Sequence, residues 1–284
     1  MSAASCEFVA VTANLRYGGI DPQTLDDSSL CDTIEALGGL RADVVGLQEI
    51  DAGGNPHDIW RNFYRLANEL GMHPVLGPSA SFKTTTGNHV GILVRTSGGL
   101  RVKNQWPASG AAGTKVPWCC AEISVPGMSE TLYVYSGHLH ARSETERVRV
   151  IETLTSLITA GDQLAIWLAD NNGYPREPAV SSEELKKLPR HLQLTRCIEG
   201  SEGDLTPNYT VCDTLVRAGL LDVAAVLPPS RREPSELCAT GKGGARVDRV
   251  HAVERLAKTA KRYQQVETGS DHQACAVTFD LSRL

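Results

Sequence analysis

Three features of the sequence predict an α/β fold. Short apolar segments with the length and composition of strands recur along the chain, helical patterns lie between them, and no long or biased linker separates them. The strand-like segments are 7–15 (EFVAVTANL), 42–50 (ADVVGLQEI), 89–96 (HVGILVRT), 131–139 (TLYVYSGHL) and 163–170 (QLAIWLAD). Each is rich in Val, Ile, Leu or aromatic residues and bounded by polar residues, Gly or Pro. Segment 118–127 (WCCAEISVPG) predicts a further strand that turns at Pro126 and Gly127 into 131–139 as a hairpin. Segments 244–253 and 272–281 close the chain as strands.

Helices are predicted over 29–41, ending at a glycine pair, and over 58–71, ending at Gly71. A third covers 143–161, where Ser143 and Glu146 have the spacing of a capping box. A fourth covers 206–225, with Gly219 near its end. The chain of 284 residues can bury a sizeable core, and the unbroken interleaving predicts one domain over 1–284.

Composition is that of a globular protein, with 41% hydrophobic and 21% charged residues. No apolar run approaches the roughly 20 residues of a membrane span. The start, MSAASCEFVAV, lacks a basic region before a long apolar stretch, so the expected location is cytoplasmic. The eight cysteines form no CxxC pair, and adjacent Cys119 and Cys120 face opposite ways on a strand, so reduced, mostly buried thiols are expected. Lys and Arg number 28 against 33 Asp and Glu, a net charge of −5. That balance disfavours, without excluding, a nucleic-acid partner, because tight duplex binders carry a basic footprint. The modest basic clusters at 141–150, 230–233 and 254–262 read as solvated faces.

Polar residues gather where these apolar segments end. Asn14, Glu49, His138 and Asp170 close four of them, Asp248 lies in a late one, and Asp271 and His272 open the last. Taken singly, each has an ordinary reading: a surface acid for Glu49, a turn for 170–173, a polar turn for 271–272, a satisfied buried histidine for His138. Their order and shared position are what point to a site, since layered α/β folds hold side chains rigidly at strand ends. Carboxylates and amides suit a hard cation, Mg²⁺ or Mn²⁺, and histidines beside carboxylates contribute charge or move protons near neutral pH. The combination points to metal-assisted attack of water on a phosphate ester.

The ordered blocks TANLRYGG, DVVGLQEID, GNHVGILV, VYSGHLHAR, LADNN, RVDRV and GSDHQA resemble the endonuclease/exonuclease/phosphatase superfamily, the DNase I-like hydrolases, over a core of about 7–279. The resemblance implies a four-layer α-β-β-α sandwich of two mixed, mostly antiparallel sheets, with the active site at one end. It implies Glu49 as principal metal ligand, assisted by Asn14 and Asp271. Asp170 would orient or deprotonate the attacking water, Asn172 hold a phosphate oxygen, and His272 contact the scissile phosphate with Asp248 orienting it. His138 would be a second phosphate-facing histidine, and Asn88 falls beside the cleft. One departure stands out. The usual Gly-Asp-Phe/Leu-Asn block reads Ala169-Asp170-Asn171-Asn172, so the Asn171 amide, facing away from Asp170, needs a partner.

Substrate choice stays open at this level. Segment 173–210 reads either as a substrate-selecting insert or as a solvated connection with short helices. Segment 226–246 offers Arg231, Arg232 and Lys242 to an anionic substrate, although its GKGG is no P-loop. The expected function is hydrolysis of a small-molecule, nucleotide or lipid phosphoester. The alternatives are a DNase I-like nuclease and a catalytically silent binding module.

Overall fold

A computed structural model of the chain describes residues 7–21, 23–50, 60–77, 89–107, 118–241 and 244–284. Two sheets form its centre. Across the first, the strands run β12 (Arg232–Glu233), β14 (Ala260–Val266), β15 (Ala274–Asp280), β1 (Glu7–Asn14), β2 (Val44–Gln48), β4 (Val90–Val94) and β3 (His73–Gly77). Across the second they run β11 (Leu220–Asp222), β13 (Asp248–Val253), β8 (Leu164–Asp170), β7 (Thr131–His138), β6 (Trp118–Ser124) and β5 (Arg101–Pro107). β1–β2, β7–β8 and β12–β14 pair in parallel and the other neighbours antiparallel. β9 (Cys197–Glu199) and β10 (Leu205–Pro207) form a separate small ribbon.

The central strands β2, β4 and β8 are buried on both faces, which explains their continuous apolar runs. In β8, Leu164, Ile166 and Leu168 point into the core between the sheets, whereas Ala165, Trp167 and Ala169 pack outward beneath helices. Those helices are α3 (Glu144–Ala160) and α6 (Thr210–Arg217), which contribute Val150, Ile151, Leu154, Ile158, Val211 and Leu215. On the far side α1 (Ser28–Leu40) and α2 (Arg61–Glu69) cover the first sheet with Leu30, Leu37, Phe63 and Leu66. The order of layers is helix, sheet, sheet, helix, as the resemblance implied. Short helices α7 (Val223–Val226) and α8 (Glu254–Ala257) add Val223 and Leu256 to the inter-sheet core, and α4 (Ser182–Lys186) and α5 (Arg190–Arg196) lie in the segment after β8.

Several expectations change. The helix expected over 206–225 is only α6, flanked by β10 and β11: Gly219, at φ 77°, breaks it, and Leu220–Asp222 pairs with β13. α1 runs through its glycine pair and stops at Arg41, which adopts a left-handed φ of 50°. β14 was hidden in the basic cluster 254–262, because Lys261, Arg262, Gln264 and Gln265 decorate a strand that buries little beyond Ala260 and Tyr263. Nor is the cluster 141–150 uniformly solvated, for Arg147 is buried. β3 and β5 likewise lack the apolar continuity that marks the central strands. The hairpin turn at Pro126–Gly127 forms as expected, closed by Met128 N–H to the Val125 carbonyl at 3.1 Å. The described cysteines are all free, and Cys119 and Cys120 enter different cores. Among the described residues no helix is long and apolar enough to cross a membrane.

The unusual Asn171 finds its partner on the outer face of β8. Its Oδ1 accepts from Trp167 Nε1 at 3.0 Å, and its Nδ2 donates to the Ala169 and Val247 carbonyls. Trp167 fits because its indole lies over Gly137, where a Cβ would come within 1.9 Å of the ring. An apolar residue at 171 would strand the indole N–H. Asn171→Leu is therefore expected to cost about 1–3 kcal/mol, the penalty for a buried donor left unpaired. A urea midpoint equal to that of the parent protein would disprove the coupling.

Candidate active site

The sheet registers bring the polar residues to one end of the sandwich. Asn14, His138 and Asp170 are the last residues of β1, β7 and β8, and Glu49 directly follows β2. His138 is level with Asp170 in the parallel pair, and Asp248, the first residue of antiparallel β13, is level with Asp170 on its other side. His272 precedes β15, whose strand enters the sheet from the same end. Beneath them Gln48 bridges the two sheets. It accepts from Thr12 Oγ1 at 3.2 Å and donates to Ser136 Oγ and the Leu168 carbonyl, both at 3.3 Å.

Side-chain contacts knit these ends together across 156 residues of chain. Asn14 Nδ2 lies 3.2 Å from Asp170 Oδ2 and 3.3 Å from Glu49 Oε1, and its Oδ1 accepts from Arg16 N–H at 2.9 Å. His138 Nε2 lies 3.5 Å from Asp170 Oδ2 and 3.9 Å from Glu49 Oε1. Asp170 Oδ1 accepts the Asn172 backbone N–H at 2.9 Å. His272 Nδ1 meets Asp248 Oδ2 at 2.7 Å, and the Asp248 N–H donates to Thr240 Oγ1. Glu49 and Asn172 both hold left-handed φ, 51° and 46°, conformations that cost energy for residues other than glycine and recur at functional sites.

Charge is correspondingly organised. Burial opposes an Asp170 charge, but His138, His272, the Asn172 N–H and Arg196 outweigh it and hold the carboxyl below its usual range. Burial also opposes the His272 cation, yet Asp248, aided by Asp170 and Asp271, raises the imidazole to about 10, so it is protonated at neutral pH. Asp248 is pushed up to about 6 by burial and by Asp170, with His272 pulling the other way. The pair is therefore an ion pair near neutrality.

The remaining predicted residues fall elsewhere. Asp271 sits at the rim, 3.6 Å from Arg16 Nε, and is linked to Asn14 through that arginine. Arg231 and Arg232 are not brought to the cluster. They line a shallow cavity with Glu7, Lys261 and Thr278 at the opposite end of β1, roughly 20 Å from Asn14 by strand length. Asn88 and Lys242 lie outside the described residues.

Other contributors were not singled out by sequence. Arg16 and Gln48 lie inside the quoted blocks, and Arg196 reaches Asn172 from the irregular segment after β8. Gly241 has a packing role, since a Cβ there would meet the His272 ring at 2.8–3.2 Å. A glycine beside Thr240 lets the loop lie flat on that imidazole. A polar residue within an apolar run was the one available signal, and it applies to Gln48 alone.

A sandwich of this topology is the fold of the endonuclease/exonuclease/phosphatase superfamily. The chain is similar to the human Nocturnin catalytic domain with bound sulfate, at 12% identity and TM-score 0.65, covering 96% of this chain and 94% of that one. It is equally similar to an endonuclease/exonuclease/phosphatase from Bacteroides vulgatus, at 13% identity and TM-score 0.65, covering 96% and 98%. D. rerio TDP2 complexed with a single-strand DNA product matches at 16% identity and TM-score 0.58, covering 96% and 98%. No protein-family model and no curated protein matches the sequence.

Proposed function

We propose that the chain is a single-domain, divalent-metal-dependent hydrolase of phosphoesters, acting on a small-molecule, nucleotide or lipid substrate. One observation carries the reading: the Asp248–His272 ion pair faces Asp170 at the end of the sandwich where Asn14, Glu49 and His138 also converge.

The donor set fits a hard cation. Oxygens dominate it, it contains no thiolate, and the Glu49 side chain is 22% exposed, open enough to take an ion. Glu49, with Asn14 and Asp271, would hold Mg²⁺ or Mn²⁺. A second set, Asp170, Asp248 and His272, has ligand atoms within 4.8 Å of one another, but the imidazole there is committed to Asp248. A bound ion supplies positive charge to the phosphoryl group and acidifies water.

The chain's own groups do the rest. His272, held cationic and oriented through Nδ1, presents its Nε2 proton to a phosphoryl oxygen. Asp170 accepts a hydrogen bond from the attacking water. Held below the usual carboxylate range, it is a weak base and a good orienting acceptor. His138 and the Asn172 amide face the phosphate beside it. The free cysteines suit a reducing compartment, and we place the protein in the cytoplasm.

A nuclease is the second reading, favoured by the likeness to TDP2 bound to a DNA product and opposed by the net charge of −5. A panel of bis-p-nitrophenyl phosphate, phosphomonoesters, plasmid DNA, single-stranded oligonucleotides and RNA decides between them. Activity is expected with Mg²⁺ or Mn²⁺, to vanish in EDTA, and to return when metal is restored. Full turnover in chelator excludes the metal role, and efficient plasmid nicking selects the nuclease. No turnover of any substrate leaves a binding module.

A further inference from the structure

The segment between β8 and β10 does more than cross the surface. Tyr174, Leu185 and Leu205 form a small core of their own against Ala245 and Val247, beside the site. Arg196, the last residue of α5, is only 8% exposed, and its Nη2 donates to Asn172 Oδ1 at 2.7 Å. Buried Arg147 of α3 secures that placement. Its Nη1 donates to the His140 carbonyl at 2.7 Å, its Nη2 to the Thr195 carbonyl, and its Nε to Glu144. The end of α5 is thereby tied to the loop that follows His138.

The chemistry of this contact decides which way the Asn172 amide faces. A guanidinium has only donors, so it accepts the amide oxygen as partner and rejects the amide nitrogen. On its other side Asn172 Nδ2 donates to the Leu139 carbonyl at 2.9 Å. A flipped amide would set N–H against N–H at Arg196 and oxygen against oxygen at Leu139. The orientation leaves one Nδ2 proton for an incoming anionic oxygen. The opposite orientation would present it with a repelling carbonyl.

We propose that Arg196 is a positioning residue that locks the Asn172 amide with its N–H toward the substrate phosphate, so that segment 173–210 completes the active site. The inference rests on the hydrolase reading, in which Asn172 contacts phosphate.

The test is a double-mutant cycle on bis-p-nitrophenyl phosphate hydrolysis with Mn²⁺. Arg196→Met keeps the apolar stem and removes the donors; kcat is expected to fall roughly 10- to 100-fold with KM changed less than about 3-fold, as for a misplaced transition-state group. Arg196→Lys, which retains one donor, should recover part of that loss. In the Asn172→Ala background Arg196→Met should add less than about 2-fold, because its effect passes through the missing amide. Additive losses, or parent-level kcat in Arg196→Met while Asn172→Ala is impaired, overturn the positioning role and leave the hydrolase reading standing. Parent-level kcat in Asn172→Ala overturns the phosphate role of Asn172 itself. Should Arg196→Met fail to fold, the same cycle run with Arg196→Lys separates additive from coupled losses in the same way.

Discussion

Asp170→Ala is expected to lower turnover by about 10²- to 10⁴-fold, the usual contribution of a positioned proton-handling or charge-bearing group. Asp170 stands at the centre of the site: its carboxylate meets Asn14, His138 and the Asn172 N–H, and its charge helps keep His272 protonated. Asp170→Asn, which keeps the size and loses the charge, should fall nearly as far. That result would separate loss of the anion from loss of packing. Circular dichroism should show both variants folded. Near-parent turnover by either purified variant would refute the mechanism.

Arg246→Met is expected to destabilise the fold by about 3–5 kcal/mol, because it strands a buried carboxylate. Arg246 grips Asp222 with two hydrogen bonds, Nη1 to Oδ1 at 3.1 Å and Nη2 to Oδ2 at 2.6 Å, and both side chains are buried. Burial opposes the Asp222 charge, but Arg246, with His251 and Arg249, overrides it and lowers the carboxyl from 3.8 to about 2. A folded pKa below the unfolded one means that the unfolded chain takes up the proton first as pH falls. The stabilisation, of order 2 kcal/mol, is thus complete above about pH 4 and is lost as pH falls through about 2. The gap between parent and variant should be wide at pH 7 and narrow toward about pH 2–3, as read from urea midpoints. A gap independent of pH would show that Asp222 does not carry it.

The polar strand ends were legible because β1, β2, β7 and β8 are largely apolar until they finish, where an amide, an acid or a histidine interrupts the run. The same logic failed wherever burial is one-sided or partial. β14 looks like a basic surface because one of its faces is one, and the helix expected over 206–225 concealed a strand that only β13 could reveal by pairing with it. Arg231 and Arg232 are basic and lie in a segment rich in loop residues. Their place at the far end of β1 depends on which strand β12 joins, a long-range choice that local patterns do not contain.

By itself, then, the sequence determined the alternation of strands and helices, the family-like order of blocks and the chemical character of the site, because periodicity and residue type are local properties. Only the tertiary structure decided the partners. Register set Asp248 and His138 on either side of Asp170, an indole over Gly137 gave Asn171 its acceptor role, and a docked helix brought Arg196 to Asn172. Each is a contact between residues on different strands, layers or loops, and hydrogen-bond geometry and burial exist only once those layers have packed.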